Sequence, residues 1–267
     1  MKHLFLLILS TLIMITKLEA QSVQPTFILV HGGWHGAWCW YKVVPLMKEK
    51  GFSVIAIDLP GHGSDQKEPA TVTMDDYVKK VLSVANSTGG AVVLVGHSSG
   101  GTVIAQAAEL LTPKKVAGLV FLDAFMPLDG ESVFSLVQKF PSEPGRGAAL
   151  AENMIVSADQ KTTTLNLDKV DDLLYHDCSA EDKALAKMKL GAQPIAPQAT
   201  PVSVTEKNYG SIPKFYIQCT EARDFDKSKL AGNVPCKKVY HLKSSHSPFF
   251  SMPENLVALF ENIVRQL

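Results

Sequence analysis

The sequence predicts an α/β domain in which a doubly wound, mostly parallel sheet carries helices on both faces. Six short runs of β-branched and apolar residues lack polar alternation, as strands buried on both faces of a parallel sheet do. These runs alternate with segments of helical periodicity, which is the pattern of repeated strand–helix units. The predicted strands cover residues 26–30, 53–57, 91–95, 116–122, 214–219 and 237–242.

Four helices are predicted between and after these strands, over residues 37–50, 74–87, 100–111 and 253–267. In the last helix an apolar side chain recurs at helical spacing, at Leu256, Phe260, Ile263 and Leu267. Pro253 suits the first turn of that helix, because a first-turn residue has no helical acceptor for an amide hydrogen.

The alternation of strands and helices breaks between residues 124 and 210. This stretch has helix patterns over 131–139 and 180–190, with Ser179 as the expected N-cap, but only weak strand signal. Core strands resume after it, so we interpret it as a helical lid inserted after a core strand, within one domain of residues 21–267. A separate small domain is the alternative interpretation.

The first twenty residues have the pattern of a signal peptide. Lys2 and His3 precede an apolar run over residues 4–15, and a plausible cleavage point follows Ala20. The run is shorter than the ~20 apolar residues that a membrane span needs. We therefore expect a signal peptide over residues 1–20 and a mature chain that is exported, to the periplasm or outside the cell, with no stable membrane span. An uncleaved anchor is the alternative.

Charge and cysteine content restrict the partners. Lys plus Arg and Asp plus Glu each number 26, so charge gives no reason to expect nucleic acid or an anionic membrane. A small neutral molecule is the expected partner. No His, Cys and Asp cluster has metal-ligand spacing, so neither a metal nor a cofactor is expected. The cysteines at positions 39, 178, 219 and 236 are widely scattered, and we expect them to be mostly free and buried.

Residues Gly96-His97-Ser98-Ser99-Gly100 are the strongest functional signal in the sequence. They follow a predicted buried strand directly and open a predicted helix, which is the context of a G-x-S-x-G nucleophile elbow. Such a turn is so tight that only small residues fit around the serine, whose hydroxyl stands above the edge of the sheet. We therefore predict that Ser98 is a nucleophile.

A serine hydroxyl needs a base to remove its proton. Of the eight histidines, His246 follows the last predicted strand and precedes the last helix, as expected for the order Ser, acid, His that accompanies this elbow. We predict that His246 is the general base. His31, in a loop after the first strand, is predicted to be structural.

The loop Val30-His31-Gly32-Gly33-Trp34 follows the first predicted strand. A tetrahedral intermediate of acyl transfer needs two donors aimed at its oxyanion. With this elbow they are the amide after the nucleophile, here Ser99, and an amide from the early loop. The adjacent glycines would let the loop backbone approach a substrate closely.

Several motifs together resemble one branch of the α/β-hydrolase superfamily, the plant methylesterases, the hydroxynitrile lyases and their bacterial esterase-like relatives. The motifs are residues 30–38 (VHGGWHGAW), 58–64 (DLPGHGS), 96–101 (GHSSGG), 122–127 (LDAFMP), 175–179 (YHDCS), 216–220 (YIQCT) and the pair 245–246 (SH). The resemblance covers nearly all of the chain after residue 20. It implies the α/β-hydrolase fold, Ser98 as nucleophile, His246 as base, and the amides of Gly33 and Ser99 as the oxyanion hole.

The acid that orients the histidine departs from the family pattern. Relatives carry an aspartate two residues after the threonine that ends the strand, and here Ala222 follows Thr220 at that spacing. Asp123, at the end of an earlier core strand, is our preferred acid, because it matters little which strand supplies the carboxylate. Asp224 and Asp226 are the alternatives, with Glu221 as a weaker option, and Asp224 is expected to be a solvated loop residue.

These residues favour a serine hydrolase that cleaves a small neutral carboxylic ester through an acyl-enzyme. The lyases resemble one another in a threonine after the loop histidine and a lysine after the catalytic histidine, where this sequence has Gly32 and Ser247. A carbon–carbon lyase of that type and a non-catalytic binding protein on the same fold are the alternatives. Phe125 and Phe249 are expected to line the substrate pocket.

Overall fold

The computed structural model describes residues 24–141 and 149–267, and it confirms the predicted fold class. Six parallel strands form the main sheet: β1 (Thr26–Val30), β2 (Val54–Ile57), β3 (Val92–His97), β4 (Val116–Leu122), β8 (Lys214–Cys219) and β9 (Lys238–Leu242). Their order across the sheet is β2-β1-β3-β4-β8-β9. The central strands β3 and β4 are buried on both faces, as their continuous apolar runs predicted, whereas β9 at the edge of the sheet is largely exposed.

The helices that cover the sheet are α1 (Val43–Glu49), α2 (Met74–Ser87), α3 (Gly100–Lys115) and α10 (Pro253–Val264). Successive side chains of a strand point to opposite faces, and β1 shows the consequence. Ile28 and Val30 pack in a core with α2 and α3. Phe27 and Leu29 pack in a second core with α1 and α10. The sheet is therefore buried between two helical layers.

Two predicted helices differ in detail from the structure. The segment predicted as one helix over 37–50 is a 3₁₀ turn, Ala37–Trp40, followed by α1. Pro45 explains the break, because it has no amide hydrogen and its ring clashes with the carbonyl four residues earlier. In α3, Thr112 has φ 66° and precedes Pro113, so the regular helix ends near the predicted Leu111.

Residues 124–210 form their own group of short elements. The helices are α4 (Val133–Lys139), α5 (Ala149–Glu152), α6 (Val170–Leu173), α7 (Ala180–Lys189) and α8 (Ile195–Ala199), and the strands are β5 (Met154–Val156), β6 (Thr162–Leu165) and β7 (Gln193–Pro194). Ser179 caps α7 as predicted, and its side chain accepts a hydrogen bond from the Asp182 amide. The antiparallel sheet of β5, β6 and β7 was not predicted, since such short strands show no periodicity. The function of this stretch as a lid stays a prediction.

All four cysteines are free, three of them buried and Cys236 half-buried, as expected. Across the described ranges, no helix is long and apolar enough to cross a membrane. The predicted signal peptide, residues 1–20, lies outside the described residues. The last short helix, α9 (Pro248–Ser251), directly follows the loop that carries His246.

Candidate active site

The turn between β3 and α3 holds Ser98 in a strained backbone conformation. Ser98 has φ 51°, in the left-handed region that non-glycine residues seldom adopt. Its amide donates to the Leu122 carbonyl at 3.2 Å, and its carbonyl accepts from the Phe125 amide at 3.0 Å. A Cβ on Gly96 would lie 2.7 Å from the Gly100 carbonyl oxygen, and one on Gly100 would lie 2.6 Å from the His31 oxygen. Both glycines are therefore required by the tight turn.

His246 and Asp123 form a buried hydrogen-bonded pair. His246 Nδ1 donates to Asp123 Oδ2 at 2.6 Å, and the two residues are 3% and 0% exposed. Asp123 directly follows β4, where its other oxygen accepts from the Cys219 amide at 3.2 Å. Burial raises the pKa of Asp123, but the Lys227 charge and the His246 hydrogen bond outweigh burial and lower the pKa overall. Asp123 is therefore a fixed, ionised acceptor at this ring nitrogen.

Two contacts hold the backbone around His246. His97 Nε2 donates to the His246 carbonyl at 2.9 Å, and the two rings lie 4.3 Å apart between centroids. Asp177, from the 175–179 motif, accepts a hydrogen bond from the Ser245 amide at 2.8 Å. Burial lowers the pKa of His97 well below its usual value, so that ring is neutral. The elbow and the 124–210 stretch thus both position the loop that carries the histidine.

Asp224 differs from the sequence expectation, because it is 2% exposed and not a solvated loop residue. Its Oδ2 lies 2.5 Å from Lys227 Nζ and 3.6 Å from His246 Nε2. Lys227 is also buried, and its ammonium lies 3.1 Å from Asp123 Oδ2. Burial alone would lower the pKa of Lys227, but the charges of Asp123 and Asp224 raise it overall. The prediction of a solvated Asp224 was wrong because the ion pair lets this loop fold inward.

Ala222 and Asp226 have no comparable position at the histidine. Ala222 is half-buried against the core on the α1 and α10 side of the sheet. Asp226 is half-buried and accepts a hydrogen bond from the Ser228 amide at 3.0 Å. Of the three candidate aspartates, Asp123 is therefore the one hydrogen-bonded to the His246 ring.

The same cluster has the ligand types of a metal site. The closest side-chain atoms of Asp123, Asp224 and His246 all lie within 4.8 Å of one another. The Lys227 ammonium, however, contacts both carboxylates at 3.1 and 2.5 Å. It already supplies a positive charge where a metal ion would be needed, so the donor set does not fit a metal.

The loop after β1 lies against the elbow. A Cβ on Gly32 would lie 2.7 Å from Ser98 Cβ and 2.9 Å from His97 Nδ1. Trp34 has φ 63°, and its amide donates to Gln193 Oε1 at 3.2 Å. The amides of Gly33 and Ser99 donate no hydrogen bond to another residue of the described ranges. Neither predicted oxyanion donor is therefore engaged by another described residue.

The histidines of this region are structural. His31 Nδ1 donates to the Gly32 carbonyl at 2.8 Å, and its Nε2 accepts from the Leu59 amide at 3.1 Å. His35 Nδ1 donates to the Gly33 carbonyl at 2.7 Å. Burial lowers the pKa of both His31 and His35 to about 3. These neutral rings fix the shape of the glycine loop, as predicted for His31.

A cavity of about 420 Å³ opens over Ser98 and Ser99. Its walls are mostly apolar and include Trp34, Phe125, Val133, Phe134, Leu150 and Phe225. Phe125 is thus at the predicted place. Besides Phe125, three of these wall residues come from the 124–210 stretch, and none of the three was predicted as a pocket residue. Val133 and Phe134 lie in the helix predicted over 131–139, but that pattern does not predict that they line a cavity, and Leu150 lies outside it.

Phe249 does not line this cavity, so its prediction as a pocket residue was wrong. It is 0% exposed and packs edge-on against the rings of His97 at 5.0 Å and Trp40 at 5.4 Å. Pro248 starts α9 immediately after the His246 loop, and this turn points Phe249 into the core. Phe249 therefore packs against the buried His97 ring and not in the cavity.

A family model described as "Alpha/beta hydrolase family" matches residues 27–259. The chain belongs to the alpha/beta hydrolase family. Within it, the chain is 35% identical to putative methylesterase 11, chloroplastic, of Arabidopsis thaliana over 252 residues, which are 90% of this chain and 64% of that one. It is 35% identical to methylesterase 9 of the same plant, covering 86% of this chain and 94% of that one. The chain thus falls in the methylesterase branch, although it spans less than two thirds of the first relative.

Solved structures agree with this family. Tomato methylketone synthase I, complexed with 2-tridecanone, matches with TM-score 0.81 and 27% identity, covering 91% of this chain and 99% of that one. A pyrethroid hydrolase from Sphingobium faniae JZ-2 matches with TM-score 0.80 and 28% identity, covering 90% and 97% of the two chains. Proteins of different named activities therefore share this alpha/beta hydrolase fold.

Gly32→Ala is expected to lower activity strongly in this alpha/beta hydrolase. The new methyl group would meet the backbone-fixed Ser98 Cβ at 2.7 Å, so the elbow or the loop must shift. A misplacement of about 1 Å at a reacting group costs about 10²-fold. The measurement is kcat/KM on an ester substrate, with Gly89→Ala as control because its Cβ would meet nothing within 4 Å. Equal activity of the two variants would contradict this packing.

Proposed function

We propose that this protein hydrolyses neutral carboxylic esters through an acyl-enzyme on Ser98. The observation that carries the proposal is the buried hydrogen bond, 2.6 Å long, between His246 Nδ1 and Asp123 Oδ2. That bond makes Nδ1 the donor, so it leaves the other ring nitrogen, Nε2, as the basic one. Together with the strained serine of the elbow, this bond supports a Ser-His-Asp triad of Ser98, His246 and Asp123.

The proposed reaction has two steps. His246 Nε2 takes the Ser98 proton as Ser98 Oγ attacks the ester carbonyl, and the imidazolium then protonates the leaving alcohol. A water molecule, deprotonated by His246, next attacks the acyl group, and Ser98 Oγ leaves with the proton. The amides of Gly33 and Ser99 donate to the oxyanion in both tetrahedral intermediates, and Asp123 stabilises the imidazolium in both steps.

The cavity supports an apolar ester as the substrate. An apolar cavity of about 150 Å³ is enough for benzene, so 420 Å³ has room for a ring-bearing or branched group. Aromatic walls at Trp34 and Phe125 suit such a group. The named methylesterases and the pyrethroid hydrolase among the similar proteins support ester hydrolysis as the reaction.

A lyase remains the weaker alternative. The structure does bring a lysine to the histidine, but Lys227 Nζ lies 3.3 Å from Nδ1, the nitrogen that faces Asp123. Lys227 is not among the residues that line the cavity, so its charge is poorly placed to meet a leaving group there. The 2.7 Å approach of a Gly32 Cβ to Ser98 also leaves no room for the threonine of the lyases.

A panel of neutral and charged esters tests the proposed substrate class. We expect kcat/KM to be higher for esters with a branched or aromatic acyl group than for acetyl esters, and lowest for an ester that carries a carboxylate. Val137→Trp, on the cavity wall, should lower kcat/KM for the large esters and spare the acetyl ester. If the charged ester were turned over best, or if Val137→Trp affected all esters equally, the assignment of this cavity to the substrate would be wrong.

We also propose that residues 1–20 direct export and are removed. The support is the charged start, the apolar run over 4–15 and Ala20 before Gln21. The mass of the protein recovered from an expressing cell should correspond to a chain that begins at Gln21. Recovery of the intact N-terminus in the membrane fraction would favour the anchor instead.

A further inference from the structure

Two residues of the loop after β8 place a buried pair of opposite charges beside His246. Lys227 Nζ donates to Asp224 Oδ2 at 2.5 Å and contacts Asp123 Oδ2 at 3.1 Å. The Phe225 carbonyl accepts from the same ammonium at 3.5 Å. Asp224 and Lys227 are 2% and 3% exposed, so solvent screens their charges little. The loop therefore adds one negative and one positive charge to the proposed triad.

Stability does not account for this pair. Burial of two charges costs desolvation that their attraction often fails to recover, and an apolar pair of similar size is frequently as stable. Asp224 Oδ1 increases the cost, because it is buried and has no hydrogen-bond partner among the described residues. The pair therefore matters for its electrostatic effect on the neighbouring residues.

The neighbour whose protonation these charges affect most is His246. Asp123 Oδ2 lies 2.6 Å from Nδ1, and Asp224 Oδ2 lies 3.6 Å from Nε2. Two carboxylates together would favour the protonated ring, which cannot take a proton from Ser98. Lys227 brings the summed charge of the three groups from −2 to −1, the value of a triad with a single carboxylate. Asp224, in turn, offsets the repulsion that Lys227 alone would exert on the imidazolium.

We propose that Asp224 and Lys227 are a matched pair of positioning residues that sets the pH range in which His246 acts as a base. This inference rests on the proposed function of His246. Among the described residues, the other titratable groups that face His246 or its loop are Asp123, His97, His35, Asp177 and Cys178, and those that face Asp123 are Tyr216 and Cys219. Burial keeps His35 and His97 neutral by lowering their pKa. The pair thus supplies the adjustable charge around this histidine.

The pH profile of kcat/KM in two single variants and their double variant tests the pair. The acid limb of the profile is its low-pH side, where activity rises as His246 loses its proton. Asp224→Asn removes the carboxylate that opposes the Lys227 charge, so the acid limb should move to lower pH. Lys227→Met leaves two carboxylates, so the acid limb should move to higher pH. Each shift should be about one pH unit or more, the usual effect of a charge within ~4–6 Å. Asp224→Asn/Lys227→Met should return the limb close to its original pH.

A purely structural pair would lower activity without shifts in opposite directions. If neither single variant moved the acid limb, or if both moved it the same way, the proposal would be overturned. Circular dichroism of each variant monitors folding. Should Lys227→Met fail to fold, the comparison of Asp224→Asn with the double variant is sufficient, because adding Lys227→Met must then raise the acid limb.

The pH dependence of labelling by a fluorophosphonate separates this proposal from the proposed function. Wild-type protein should react at Ser98 faster as pH rises through the acid limb. If the wild-type protein were labelled at no pH, the proposed function itself would be contradicted. Normal labelling of the wild type, with the same pH dependence in all three variants, would leave the proposed function intact and overturn only the role of Asp224 and Lys227.

Discussion

Ser98→Ala is expected to lower ester turnover by about 10⁴-fold or more, because losing one member of such a triad removes the covalent route. The fold should survive, since the Ser98 backbone is held by hydrogen bonds to Leu122 and Phe125 that do not involve its side chain. A small rate above that in water should remain, because the amides of Gly33 and Ser99 are unchanged.

The measurement is kcat on the best ester of the panel, together with the thermal unfolding midpoint. Ser87→Ala is a suitable control, because Ser87 is an exposed serine at the end of α2 whose hydroxyl donates only to the Val84 carbonyl. Its activity should match that of the wild type. More than a tenth of wild-type kcat in folded Ser98→Ala would mean that another group is the nucleophile.

Asp123→Asn is expected to lower turnover by about 10⁴-fold, the effect of the same change in a serine protease triad. An amide in place of the carboxylate can hold the ring in the wrong tautomer and cannot stabilise the imidazolium. Asp224 cannot replace Asp123, because it lies at Nε2, on the other side of the ring. The loss should appear in kcat, with the fold retained as judged by circular dichroism.

Asp224→Asn is the matched comparison for this acid. It keeps the Asp123–His246 hydrogen bond of 2.6 Å, so its loss of turnover at its own pH optimum should be far smaller than that of Asp123→Asn. The opposite ranking of the two variants would make Asp224 the acid of the triad.

The core of this protein could be predicted from the sequence for a simple physical reason. A parallel strand buried on both faces must be apolar at every position, so runs such as 116–122 stand out. The strands β5, β6 and β7 lie outside that sheet and are short, and β7 is the dipeptide Gln193–Pro194. No hydrophobic period can be read from such lengths.

The candidate site was predictable where a residue is tied to a tight turn or a strand end. Ser98 is fixed by the glycines of the elbow, and Asp123 by the end of β4. Lys227 was missed because the loop Asp224-Phe225-Asp226-Lys227-Ser228 has the composition of a solvated surface. Its burial depends on Asp123, far earlier in the chain, as well as on Asp224 of the same loop, and no local pattern contains the contact with Asp123.

Mass spectrometry of the protein after reaction with a fluorophosphonate tests directly whether Ser98 is the nucleophile. We expect one covalent adduct per chain, located on the peptide that contains Ser98, and no adduct on Ser98→Ala. Labelling of Asp123→Asn should be slowed by orders of magnitude, since the same base activates the serine. An adduct on a different residue, or no adduct on a protein that still hydrolyses esters, would contradict the acyl-enzyme mechanism.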